Sequence, residues 1–235
     1  MWKNKRRYQK RLQRYLIGYS MHADILEIKS IYYFSFLSLI TVLLAYFTQK
    51  ELLTNSVYYN TYSEIMSAER IETIIENTKN YSGLIYATLP LIILIKTSYN
   101  TFFVTTATLL DNSRSYNFLS NFNICLKAEG VFVIMQLVKV YFLSFLKEAD
   151  TLTDVQTIPL SAITLFEPKS IPLWSVYIFQ TLNVWEVLFC YIGTWLFAKN
   201  YQVPMKTAFV LFCVPYLIGV LVLIFLSVFI TIITT

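Results

Sequence analysis

Charge is scarce in this chain. Of its 235 residues only 14% are Asp, Glu, Lys or Arg, against 56% hydrophobic. A soluble domain carries about 25% charged residues, so the composition excludes an ordinary soluble fold and points to a polytopic membrane protein. Histidine is nearly absent. The single His22 excludes a His-rich metal site, and it leaves a Ser-His-Asp or Cys-His catalytic pair only one residue to use. Five glycines are too few for a phosphate cradle, and no G-x-S-x-G, H-E-x-x-H or Walker-type loop occurs. An intramembrane aspartyl enzyme needs two carboxylates at depth, and Glu186 alone is expected there. Three cysteines, Cys125, Cys190 and Cys213, offer no pair in an expected outside loop, so no disulfide framework is expected. No enzyme, no cofactor and no nucleic-acid partner are expected.

What the chain does have is long apolar runs. Leu173–Phe197, LWSVYIFQTLNVWEVLFCYIGTWLF, is long enough to cross a bilayer, since about 20 helical residues cover about 30 Å of hydrocarbon. Trp174 and Trp195 lie near its two ends, where amphipathic rings favour the headgroup level. The fold expected is all-α with five spans at about 28–47, 83–110, 128–145, 172–198 and 205–233, following a basic segment over 1–27. Pro90 is placed to kink the second span.

Seven of the 19 basic residues, Lys3, Lys5, Arg6, Arg7, Lys10, Arg11 and Arg14, fall in the first 14 positions. Interleaved with Tyr8, Leu12, Tyr15, Leu16 and Tyr19, they read as a basic helix. Such a cluster keeps its end of the chain cytoplasmic and is expected to meet anionic headgroups or a cytoplasmic partner. The first apolar run starts only near Ile31, so a cleaved signal peptide is not expected. Acidic residues gather in the loops after the first and third spans. That asymmetry predicts the N-terminus inside and the C-terminus outside. Between the first two spans, Thr61 and Glu64 have capping-box spacing, and Ile65, Ala68, Ile71, Ile74 and Ile75 form an apolar stripe, which predicts a short amphipathic helix.

Lys96, Lys139 and Glu186 stand near the middle of the second, third and fourth expected spans. Charges at depth tend to face the bundle interior and pair. Three readings stay open: an ion pair of Glu186 with Lys139 or Lys96 that fixes packing, a proton or substrate path, and lysines that snorkel to the interface.

The run LWSVYIFQTLNVWEVLFCYIGTWLFAKNYQVPMKTAFVLF resembles the Yip domain of bacterial membrane proteins. Trp185 and Gly193 have that family's spacing of Trp and Gly on a polar-aromatic helix, and Lys199–Lys206 supplies its short basic turn. LLDNSRSYNFLSNFNICLKAEGVFVIMQ is similar to the family's connection between the second and third spans, with DNSRS where a glycine-rich turn is common. The resemblance covers about residues 83–233. It implies a non-enzymatic membrane organiser. Eukaryotic members interact with Rab-type GTPases, and some bacterial relatives are accessory subunits beside ABC-type exporters linked to antimicrobial-peptide resistance. A scaffold or accessory subunit that binds other integral membrane proteins in a bacterial cytoplasmic membrane is therefore expected, with Trp185, Gly193, Pro90, Lys139 and Glu186 in assembly. A small transporter or channel using the mid-span charges is the alternative.

Overall fold

The computed structural model describes residues 29–111, 115–146, 148–166 and 171–234. The chain divides into two compact units, Met1–Phe36 and Leu37–Thr235. Of the first, the described part is the opening of α1, where Ser35 Oγ donates to Ile31 O at 2.8 Å. The basic residues Lys3, Lys5, Arg6, Arg7, Lys10, Arg11 and Arg14 lie outside the described residues.

The described residues are helical, with no strand among them. The order is α1 (Ser30–Leu52), α2 (Asn55–Tyr62), α3 (Ala68–Thr108), α4 (Phe118–Phe145), α5 (Leu152–Gln156), α6 (Leu173–Thr181), α7 (Val184–Tyr201) and α8 (Met205–Thr234). Four of these, α1, α3, α4 and α8, are long and apolar enough to cross a membrane; the fifth expected span, 172–198, is not among them.

Three boundaries differ from the sequence reading. First, α3 runs for 41 residues, about 60 Å at 1.5 Å per residue. It absorbs the amphipathic segment expected to stand apart and continues through Pro90 as helix. Ile71 and Ile75 of the stripe bury against Tyr58 of α2, whereas Ile65 and Ala68 are exposed, and Thr61 does not start a helix with Glu64. It lies inside α2, gives its hydroxyl to Val57 O at 2.7 Å, and accepts from Leu152 N at 2.9 Å. The capping box that does form is at Thr151 and Asp154, at the start of α5.

Second, α4 starts ten residues before the expected span, with Asn117 as its cap; Asn117 Oδ1 accepts from Leu119 N at 2.9 Å. Its helical ladder is interrupted only at Glu129.

Third, the 172–198 run is not one helix. It breaks at Leu182–Asn183, between α6 and α7. Asn183 caps α7 by accepting from Glu186 N at 2.8 Å. An Asn followed three residues later by Glu is a helix-start signal, and here it prevails over continuous hydrophobicity.

Within Leu37–Thr235, α3 packs on the first part of α4 and on α8, and both halves of α4 pack on α7. The helix α7 lies along the start of α8 (Met205–Cys213), while α6 lies along the later part (Val214–Thr234). Two glycines permit close approach. A Cβ on Gly193 would overlap the ring of Phe212, and one on Gly219 would come 3.0 Å from Phe103 Cδ2. The end of α1, α2 and α5 form a cap, with Leu52, Val57, Leu143 and Val155 in one apolar cluster.

Candidate functional site: the broken helix and its polar neighbours

The break between α6 and α7 would leave backbone groups unpaired, and unpaired buried groups are costly. A preceding segment satisfies them. Ala162 N donates to Leu182 O at 2.8 Å, and Val184 N donates to Leu160 O at 3.2 Å, so Ser161 and Asn183 form a single antiparallel bridge. Leu160 sits at φ 59°, a left-handed backbone that leucine seldom adopts. Trp185 Nε1 donates to Pro159 O at 2.8 Å. Its indole is buried with Val131 and Met135 of α4, and Ile158 packs on the same cluster. Residues 158–162 thus reach α4 through Trp185, and irregular backbone pairs with the broken helix there. In lipid such backbone is tolerated only where protein buries it or a cavity runs beside it.

Glu186 stands in the first turn of α7. Its carboxylate accepts a hydrogen bond from the Tyr216 hydroxyl of α8. Residue 216 lies eleven positions beyond Met205, about 16 Å along α8. The ring of Tyr216 stacks at 4.4 Å on Phe189, which fixes where its hydroxyl points.

Lys96 pairs with Glu129, not with Glu186. Its Nζ is 3.0 Å from Glu129 Oε2 and 3.3 Å from the centre of the Phe132 ring. Glu129 Oε1 accepts from Asn100 Nδ2 at 3.3 Å. The Glu129 side chain is 6% exposed and that of Lys96 40%, so the lysine retains access to its surroundings while the carboxylate does not. Lys96 lies over Phe132, whose ring is 5.4 Å from that of Phe189, the residue packed on Tyr216, so the pair and Glu186 fall in one region. Lys139 is half-buried on α4, and among the described residues no hydrogen bond or ion pair joins it to the other charges. Of the three expected members of a polar cluster, the fold brings Lys96 and Glu186 into one region and leaves Lys139 aside.

A second polar knot ties the ends of α3, α4 and α7. Asn121, fully buried, donates to Thr105 Oγ1 at 3.1 Å and accepts from Tyr201 Oη at 2.9 Å. The Tyr201 ring meets Tyr116 at 4.9 Å.

Several of these residues were not singled out from the sequence: Glu129, Asn100, Asn121, Tyr216 and Asn183. A signal for some of them exists. Thr97, Asn100, Thr101 and Thr108 recur at helical spacing in an apolar helix, and all four are buried, as polar residues at helix–helix contacts are. Gly193 and Trp185, expected in packing, both lie at helix contacts.

Beside the break, α7 and α8 border a groove of about 1230 Å3, whose other wall is the 160–165 segment. Cys190 and Cys213 both line this groove. Among the described residues no group of three His, Cys, Asp or Glu side chains could hold a metal ion. The described residues are helical, with four helices long and apolar enough to cross a membrane and a helix break whose backbone a neighbouring segment satisfies. No family model matches the chain, and neither a curated protein nor a solved structure is similar to it.

Proposed function

We propose that this chain is a non-enzymatic integral membrane scaffold or accessory subunit, whose work is to bind another membrane protein. One observation carries the reading. The polar side chains inside the bundle are largely engaged with one another, as in Lys96–Glu129–Asn100, Tyr216–Glu186 and Asn121–Tyr201, while whole helix faces of large apolar residues remain outside. Leu91 and Ile95 on α3, and Phe225, Phe229 and Ile233 on α8, are exposed. Lipid or a partner's span must cover such faces in a membrane. The resemblance to the Yip domain adds the kind of partner: subunits of an ABC-type exporter serving resistance to antimicrobial peptides, in a bacterial cytoplasmic membrane. The basic residues from Lys3 to Arg14 would meet anionic lipid or a cytoplasmic partner.

Extraction of the full chain from its native membrane in mild detergent, followed by mass spectrometry of what co-purifies, tests this. Stoichiometric transporter subunits support it. A stable protein that elutes without partners overturns it.

The broken helix favours a second reading, a small transporter, because substrate sites in transporters form where helices are interrupted near mid-membrane. Flux of a solute by the protein alone in liposomes, lost in Glu186→Gln, would support that reading over the first.

A further inference from the structure

Glu186 has two carboxyl oxygens and one partner. Its Oε2 accepts from the Tyr216 hydroxyl. Its Oε1 has no hydrogen bond or ion pair among the described residues, and it is not sealed off as the unpartnered Thr194 Oγ1 is. Glu186 is half-buried and lines the groove beside the helix break, so the free oxygen opens into that groove. Most other polar side chains on the walls are already satisfied. Thr164 gives its hydroxyl to Ser161 O at 2.7 Å, and Thr181 gives its own to Tyr177 O at 2.8 Å. Ser161 bonds Ile158 O, and Asn183 Nδ2 donates to Gln180 O at 2.8 Å. Besides Glu186, only Tyr191, further along α7, and Lys206 stay open on the walls. Lys206 lies ten positions before Tyr216 on α8, about 15 Å away along the helix.

Each helix packed around this carboxyl brings its own titratable groups. On α3, Lys96 is held by Glu129 at 3.0 Å, and Tyr99 gives its hydroxyl to Gly219 O at 2.8 Å. On α4, Glu129 is matched by that lysine and accepts from Asn100 at 3.3 Å. Cys190 and Tyr191 follow on α7, and Cys213 and Tyr216 stand on α8. The 160–165 segment brings no charge. No basic side chain among the described residues is within ion-pair distance of Glu186. Two influences favour its ionised form: the Tyr216 hydroxyl, and the first turn of α7, whose dipole suits an anion. Two oppose it: the lack of a counter-ion, and walls that include Val187, Leu217, Val220 and Leu221. Both states are therefore supported. Protonation at Oε1 leaves the existing contact intact, because Oε2 accepts from Tyr216 in either state.

We propose that Glu186 is a reversible proton-binding site, loaded and unloaded at Oε1 through the groove between α7 and α8. A hydronium ion or a buffer acid gives its proton to Oε1, and the proton leaves by the same route; no electrons move. The proposal names the ion to which the transporter reading would couple, and it rests on that reading only for that use.

The test uses the full-length protein in liposomes and N,N′-dicyclohexylcarbodiimide, a lipid-soluble probe that adds to protonated carboxyl groups and not to carboxylates. Peptide mass spectrometry locates the adduct. An exposed glutamate, with a reference value of about 4.3, is almost wholly ionised at neutral pH. Glu186 is expected to be labelled at neutral pH, to lose that labelling about two pH units higher, and to show none as Glu186→Gln. Glu129, held by Lys96, should not label. Glu129→Gln frees the Lys96 charge in the same region and should lower Glu186 labelling several-fold. Tyr216→Phe removes the donor to the ionised form and should raise labelling at the higher pH. A merely structural side chain would show neither shift. Infrared difference spectra between the same two pH values read the protonated-carboxyl band without a probe having to reach it. That band should vanish in Glu186→Gln. If no Glu186-dependent band separates the two pH values, the side chain is ionised or protonated throughout, and the proposal is overturned. Where Glu129→Gln or Tyr216→Phe does not fold, the wild-type and Glu186→Gln spectra decide. Solute flux is read separately: a titrating Glu186 without flux ends the transporter reading and leaves the proton site standing.

Discussion

The hydroxyl of Tyr216 on α8 donates a hydrogen bond to the carboxylate of Glu186 in the first turn of α7. This contact joins the restart of a broken helix to the most apolar helix of the molecule. The Tyr216 ring is buried and lies tilted against Phe189, which holds its hydroxyl at Glu186.

Tyr216→Phe therefore leaves Glu186 without that donor, and a loss of about 1–3 kcal/mol is expected. Glu186→Gln keeps an oxygen that accepts from Tyr216 and should cost less. Thermal unfolding in detergent of the two single variants and the double variant checks this. A double-mutant coupling of zero would mean that the contact does not matter to stability.

For the pair on α3 and α4, the order of effects follows from burial. Lys96→Met strands a Glu129 carboxylate that is 6% exposed, and a loss of about 3–5 kcal/mol is expected. Glu129→Gln strands only a lysine that keeps partial exposure over Phe132, so its loss should be smaller. Lys96→Met combined with Glu129→Gln should be more stable than Lys96→Met alone. Thermal melts of the three proteins in one detergent measure the order.

At Gly193 any side chain enters the Phe212 ring. Gly193→Ala should cost about 1–3 kcal/mol through overpacking, and Phe212→Leu in the same chain should recover part of it. If Gly193→Ala melts with wild type, α7 and α8 are not in close contact at this point.

The cap of α7 is open to direct test. Asn183→Ala removes the acceptor for Glu186 N and should cost about 0.5–2 kcal/mol, while Asn183→Asp, which keeps the acceptor, should cost less. Helix content by circular dichroism together with the melting temperature reads the difference. Equal melting of both variants with wild type would show that residues 160–184 hold the break by backbone pairing alone.

Much of the architecture was legible because it depends on local pattern. Runs such as Ile28–Phe47 and Met205–Ile233 have no competing reading, since length and hydrophobicity alone make them helices able to span. The stripe at Ile71 and Ile75 was legible for the same reason, and both side chains are buried. Where the stripe was joined to the next span was not legible, because nothing in the sequence between Lys79 and Gly83 ends a helix. Which charges meet was not legible: a bond of Glu186 to a lysine is one of three readings the sequence leaves open, and the carboxylate that pairs with Lys96 is Glu129, 33 positions away. Glu129 falls at the edge of the span that hydrophobicity defines, whereas α4 begins ten residues before that span.

The sequence by itself determined an all-helical chain with runs fit for a membrane, since these follow from composition and from spacing within about 20 residues. Only the tertiary structure decided which polar side chains meet and where the apolar run 172–198 breaks. A hydrogen bond such as Tyr216–Glu186 depends on helices that are distant in sequence, and the break at Leu182–Asn183 holds because residues 158–162 arrive to satisfy its backbone. A buried polar group must be paired, but the sequence does not say by which neighbour; the packing of the helices does.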